Sequence, residues 1–101
     1  MLHERRESNR TAISCKAAVS TESCFVAGTT DNLSLTGALV TVDEGTPAES
    51  MQGQIAELWL DISGKELEFP CRIVRVAPSE VAVEFTNIDM ETMMLLKKIL
   101  Q

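Results

Sequence analysis

Gln54-Ile55-Ala56-Glu57-Leu58-Trp59-Leu60-Asp61-Ile62-Ser63-Gly64-Lys65-Glu66-Leu67-Glu68-Phe69 is the stretch that decides the fold. Ala56, Leu58, Leu60 and Ile62 fall on one face of an extended chain and Glu57, Trp59 and Asp61 on the other, the period of two that a half-buried strand requires. Ser63-Gly64 is a hairpin signal, and the strand beyond it has Leu67, Phe69, Cys71 and Ile73 as its inward row. Pro70 has no N–H to give to a ladder, so it points to an edge, a bulge or a strand start. After Ile73 the alternation slips, with Val74 and Val76 apolar around Arg75, as a β-bulge produces.

The same period extends in both directions. From Thr11 to Val19, Ile13, Cys15, Ala17 and Val19 alternate with Ala12, Ser14, Lys16 and Ala18, and Ser23 to Thr30 continues in kind. Gly37 to Val42 is apolar on both faces, and Asp43-Glu44-Gly45-Thr46-Pro47 reads as a loop by its turn chemistry. Ala77-Pro78-Ser79-Glu80 turns the chain into Val81, Val83 and Phe85. Six short strands at this spacing predict a mainly β fold, a small six-stranded antiparallel barrel, because closure removes exposed edges. The tail changes period: Asp89 caps a helix from Met90 to Leu100, with Glu91 in its first turn and Lys97-Lys98 in its last, both favourable to the helix dipole. Met90, Met93, Met94, Leu96 and Leu100 form its apolar stripe. Leu95 and Ile99 fall outside the stripe and are covered, partly exposed, or in contact with a partner or a second subunit in a homodimer.

A chain of 101 residues, 45% hydrophobic, buries one modest core, so the expected organisation is a single domain over 1–101. Residues 1–10 are polar and aperiodic and read as a flexible N-terminal arm, 11–86 as the barrel and 89–100 as the helix. No run has the roughly 18 apolar residues needed to span a bilayer, and the charges of Met1-Leu2-His3-Glu4-Arg5-Arg6 have no apolar stretch behind them. The expectation is a soluble cytoplasmic protein with no membrane insertion. Cys15, Cys24 and Cys71 are odd in number and show no Cys-x-x-Cys spacing, so they read as buried or half-buried thiols rather than a disulfide framework or a metal site. A net charge of -6 disfavours DNA or RNA as partner, since neutralising many phosphates calls for a basic face. Three of the nine basic side chains nevertheless fall within Arg5 to Arg10. With a screening length of about 8 Å at physiological salt, such a local cluster can bind a small dianion on an acidic protein.

That cluster, Arg5-Arg6-Glu7-Ser8-Asn9-Arg10, contains Arg-x-x-x-Arg with an extra arginine in front, and Asp31-Asn32-Leu33-Ser34-Leu35-Thr36-Gly37 contains Asn-x-Ser-x-x-Gly between two strand-like runs. In order, spacing and strand context the pair resembles the signature of the PilZ domain, and the Cys71-to-Val76 and Val81-to-Phe85 strands resemble the family's later strands. The resemblance implies a six-stranded antiparallel barrel with a C-terminal helix, and cyclic di-GMP, a bacterial second messenger, as ligand. It assigns Arg6 and Arg10 to guanine and phosphate contacts, Arg5 to an additional contact associated with an intercalated ligand dimer, and Asn32, Ser34 and Gly37 to the second motif. Ala82 stands where a glycine is common in the family, a departure expected to touch packing more than the ligand site.

The chemistry suits these residue types. A guanidinium meets the adjacent N7 and O6 acceptors of guanine with two parallel hydrogen bonds, stacks on a purine or grips a phosphate. The opposite edge of guanine offers N–H donors, for which the Asn32 amide oxygen is an acceptor and the Asp31 carboxylate a stronger one. Asp31 is adjacent to Asn32, would point to the other side of a strand, and has the alternative role of satisfying local backbone in a turn. Ser34 can donate to a phosphate or a base edge, and Gly37 lets the backbone bend tightly or approach a ligand. Read without the arginines, the segment is an ordinary strand connection with a serine turn and a glycine bulge. His3 is a solvated histidine, and Trp59 is either covered by the helix or arm or part of a partner surface. No carboxylate pair, Ser/His/Asp or Cys/His arrangement asks for catalysis, and no cofactor is implied. The leading expectation is a stand-alone cyclic di-GMP receptor and adaptor, not an enzyme, that passes ligand binding to an unidentified protein partner. The alternative is a PilZ-like interaction module that binds no nucleotide.

Overall fold

The computed structural model describes residues 14–100, and in them six strands close an antiparallel barrel. The strands are β1 Cys15–Ser20, β2 Phe25–Leu33, β3 Gly37–Glu44, β4 Ile55–Ile62, β5 Lys65–Ala77 and β6 Glu80–Phe85, followed by helix α1, Met90–Ile99. Their order around the barrel is β1-β2-β3-β6-β5-β4, and β1 pairs with β4 to complete it. Every strand therefore has two neighbours, which satisfies backbone groups that an open sheet would leave unpaired.

The expected hairpin joins β4 to β5, with Leu60 opposite Leu67 and Ile62 opposite Lys65. Its two loop residues, Ser63 and Gly64, both take positive φ, 54° and 85°. Such a turn matches the right-handed twist of its strands, and the Gly64 N–H donates to Asp61 Oδ1 at 3.0 Å to hold it. Ala56, Leu58, Leu60 and Ile62 are buried as the alternation requires, as are Phe69, Cys71 and Ile73, while Leu67 is half-buried. Phe69 stacks on Phe85 with ring centroids 4.9 Å apart. Between β3 and β4 a short 3-10 helix, Glu49–Met51, inserts the fully buried Met51 into the core. Beyond β6, Leu96 of α1 and its C-cap residue Leu100 join the same core.

Several boundaries differ from the sequence reading. β1 begins at Cys15; Thr11, Ala12 and Ile13 of the expected strand lie outside the described residues. β2 does not stop at Thr30 but runs through Asp31 and Asn32 to Leu33, because Asn32 and Leu33 pair with Leu39 and Ala38 of β3. β3 is not apolar on both faces: Ala38, Val40 and Val42 are buried, Leu39 is half-buried and Thr41 exposed. Asp43 and Glu44, read as loop, belong to β3, with Glu44 opposite Ala27 and Asp43 the additional residue of a bulge. Pro70 lies inside β5, where its carbonyl accepts from the Thr86 N–H at 3.0 Å. The N–H that proline lacks faces the same way, toward Thr86 beyond the last paired residue Phe85, so the ladder between β5 and β6 is intact up to Phe85. The bulge expected after Ile73 is present, with Val74 as the unpaired residue.

Helix α1 is capped as expected: the Thr92 N–H donates to Asp89 Oδ1 at 2.8 Å, with Glu91 in the first turn and Lys97 and Lys98 in the last. That bond holds the Asp89 carboxyl below the usual carboxylate range. The expected stripe is corrected, since Met90 and Met94 are 75% and 61% exposed while Ile99, placed outside it, packs against the core. No helix among the described residues is long and apolar enough to cross a membrane.

Candidate functional site

The site residues of the Asp31-to-Gly37 segment are positioned by a break in the pairing of β2 with β3. Thr29 lies opposite Thr41, but the next pair is Asn32 with Leu39, so Thr30 and Asp31 share a single partner, Val40. Val26 and Thr30 are buried on β2, and strict alternation would send Asn32 inward after them; instead the next buried residue is Leu33. The bulge has shifted the phase by one and turned Asn32 outward.

Thr30 holds the bulge. Only 1% of it is exposed, and its hydroxyl donates to the Leu39 carbonyl at 2.6 Å while accepting from the Asn32 N–H at 3.3 Å. A polar group this deeply buried is tolerated because both of its functions are used. Sequence reading missed this residue, which falls in a wholly polar run, Thr29-Thr30-Asp31-Asn32, where no apolar alternation can show a slip.

Ser34, Leu35 and Thr36 connect β2 to β3. The Ser34 N–H donates to the Gly37 carbonyl at 2.9 Å, and Ser34 Oγ accepts from the N–H groups of Thr36 and Gly37 at 3.2 and 3.3 Å. The hydroxyl also donates to the Gly37 carbonyl at 3.3 Å, so it serves a ligand as a donor only by exchanging that bond within the turn. Gly37 is needed for a reason other than bending: a Cβ there would collide with the Val83 carbonyl oxygen and come within 3.2 Å of Glu84 Cα on β6. The glycine permits close approach of β3 to β6.

Asn32, Ser34, Thr36, Gly37 and Leu39 form one side of an open groove of about 370 Å³ on the outside of the barrel. Val74, Arg75, Ala82 and Glu84 line the other side. Arg75 reaches it by the same device as Asn32. Phe69, Cys71 and Ile73 point inward, so strict alternation would bury Arg75; the Val74 bulge instead leaves Arg75 opposite Ala82 and exposed, and returns Val76 to the core. Its contact with Glu80, 3.9 Å between side chains 60% and 41% exposed, is a loose pair that leaves the guanidinium available. The slip around Val74 is legible in the sequence; that it turns Arg75 onto the groove shows only in the pairing of β5 with β6. Ala82, expected to affect packing more than the ligand site, lies between Leu39 and Arg75 and lines the groove.

The structure thus brings together Asn32, Ser34 and Gly37 and adds Arg75. Asp31 is exposed and does not line the groove. Arg5, Arg6 and Arg10 lie outside the described residues. The segment that carries them leads into β1 at Cys15, which pairs directly with Thr30 of the bulge. Within the groove the Arg75 cation shares its wall with the Glu84 carboxylate and pairs with Glu80, so binding a dianion there calls for further positive charge.

Nothing else in the described residues carries reactive chemistry. Burial, aided by the Glu57 carboxylate, pushes the Cys71 thiol up to about 12, and burial followed by Asp61 raises Cys15 in the same direction. Both stay protonated near neutrality and so are poor nucleophiles. Among the described residues no three His, Cys, Asp or Glu side chains are grouped to hold a metal ion.

The family model described as "PilZ domain" matches residues 4–101. Among solved structures, the crystal structure of the PilZ domain of CeSA from a cellulose-synthesizing bacterium is similar, with 22% identity and a TM-score of 0.74 over 90% of this chain and 93% of that one. It shows the same fold. No curated protein matches the chain.

Proposed function

The chain belongs to the PilZ domain family, whose members bind cyclic di-GMP, and from that premise we propose that it is a cyclic di-GMP receptor. Arg6 and Arg10 provide the guanine and phosphate contacts, and Arg5 adds a further one. Asn32 accepts from the guanine N–H edge, Ser34 donates to phosphate or base, and Arg75 closes the far wall as an additional cation. Asp31, exposed at the bulge, serves the arm or the backbone more readily than the groove. PilZ domains are binding modules, and the reading here is of a receptor that acts by changing the surface offered to a protein partner when residues 5–10 close on the ligand.

One observation carries this reading: two separate β-bulges turn Asn32 and Arg75, both due to face the core, onto opposite walls of one groove, and β1, which follows the arginine segment in sequence, begins opposite Thr30 of the first bulge. Calorimetric titration of the protein with cyclic di-GMP, beside an Arg6→Ala/Arg10→Ala variant, tests it. Each bidentate arginine contact is worth about 1–3 kcal/mol, or roughly 5-fold to 150-fold in affinity. Saturable binding that the double variant loses is the expected result, and the wild-type isotherm gives the stoichiometry, which Arg5 tilts toward two ligands per chain. A folded wild type that gives no heat would leave the family's fold without its ligand, and the partner-binding reading alone.

A further inference from the structure

A second groove, of about 510 Å³, lies on the outer surface of β1, β2, β4 and β5. The register lays it out in two rows. Ala27, Ala18, Trp59 and Glu68 run across the strands in one, and Phe25, Ser20 and Glu57 in the next. Small side chains therefore make the floor, between Phe25 on one side and Trp59 with its two carboxylates on the other. Phe25 is 61% exposed, so the core does not explain a phenylalanine there. Glu57 and Glu68 are exposed and flank Trp59, and no lysine or arginine among the described residues forms an ion pair with either.

We infer that this face docks a protein partner through an arginine carried between apolar residues. A guanidinium stacks on an indole face and donates to carboxylates at its rim, while its aliphatic stem and apolar neighbours cover phenyl and methyl surface. Charge complementarity selects this occupant. A second copy meeting the same face about a two-fold axis would bring Glu57 and Glu68 against their own kind, a juxtaposition that opposes association. The inference is independent of the nucleotide reading, because the two grooves share no residue.

Trp59 is the only tryptophan of the chain, so its emission reports this groove alone. The full chain, without nucleotide and at low salt, is titrated with acetyl-Leu-Arg-Leu-Arg-Leu-amide and with the counterpart carrying glutamate for arginine. Expected is a saturable change with the arginine peptide, none with the glutamate peptide, and affinity reduced about tenfold or more in Glu57→Gln/Glu68→Gln and by added salt. Both substitutions are at exposed positions, and circular dichroism confirms that the variant is folded. No change in emission, or equal affinity in the variant, would overturn the proposal. So would a dimer by sedimentation that Phe25→Ser dissolves, which would make a second copy the occupant. Tighter peptide binding by Arg5→Gln/Arg6→Gln/Arg10→Gln would also overturn it, assigning the groove to the arm of the same chain.

Discussion

Thr30→Val removes one hydroxyl from the interior and should disturb both stability and ligand binding. The valine fills nearly the same space at a position 1% exposed, but the Leu39 carbonyl loses its 2.6 Å donor and the Asn32 N–H loses its 3.3 Å acceptor. A buried group left without a partner costs about 1–3 kcal/mol, and the shorter bond to Leu39 carries most of that. The added methyl returns at most about 0.8 kcal/mol by burial. A net loss of about 1–2 kcal/mol remains, and each kcal/mol lowers Tm by roughly 4–8 °C in a domain of this size. Urea unfolding followed by Trp59 emission measures it, with Thr30→Ser as control. Serine keeps both bonds and loses only a methyl, so it should be the more stable of the two. Because the hydroxyl also holds Asn32 outward, Thr30→Val should weaken cyclic di-GMP binding by about tenfold or more at temperatures where the variant is folded. A valine variant as stable as wild type, or one that binds nucleotide with unchanged affinity, would refute the claim that this hydroxyl holds the bulge.

Arg75→Ala should weaken cyclic di-GMP binding by roughly 5-fold to 150-fold in calorimetry while leaving the urea midpoint nearly unchanged, since its exposed 3.9 Å contact with Glu80 contributes little to stability. Gly37→Ala should lower the urea midpoint, because its Cβ meets the Val83 backbone and β3 must move from β6; overpacking of this kind costs about 1–3 kcal/mol. Asp89 titrates lower in the folded protein than unfolded, so its contribution is fully present above the usual carboxylate pKa and is lost as pH falls through the depressed folded value. Thermal melts in the acid range should therefore show a steeper loss for wild type than for Asp89→Asn, which keeps the cap without the charge.

The parts of the fold legible in the sequence are those where apolar and polar residues alternate. Ala56, Leu58, Leu60 and Ile62 announce β4, Ser63-Gly64 announces its turn, and Asp89 announces the helix cap, because each signal is local and each residue type has one physical reason to be there. The orientation of α1 was legible only in part: Leu96 and Leu100 of the expected stripe are buried, but Met90 and Met94 are not. Met90, Met93, Met94, Leu95, Leu96, Ile99 and Leu100 cover most of its circumference, and only packing against the barrel decides that Leu96 and Leu100 go in and Met94 stays out.

The site was legible as a motif and illegible as a geometry, and the two bulges explain the difference. Around Val74 the apolar residues flank the slip, so the break in β5 shows in the sequence. Around Thr30 all four residues are polar, so the equivalent break in β2 leaves no hydrophobic trace, and only pairing with β3, a contact distant in sequence, reveals it. A strand that keeps its period sends alternate side chains into the core, where a polar group must be satisfied internally and cannot meet a ligand. One extra residue reverses that assignment for everything beyond it. Asn32 and Arg75 both lie just past such a residue, on strands separated by β3 and β6, and both emerge on the same groove. It is the extra residue kept without its bulge that would send them inward: deleting Asp31 or Val74 instead leaves Asn32 directly after buried Thr30 and Arg75 directly after buried Ile73, so the shortened strand alternates normally and each deletion should leave the polar side chain facing outward.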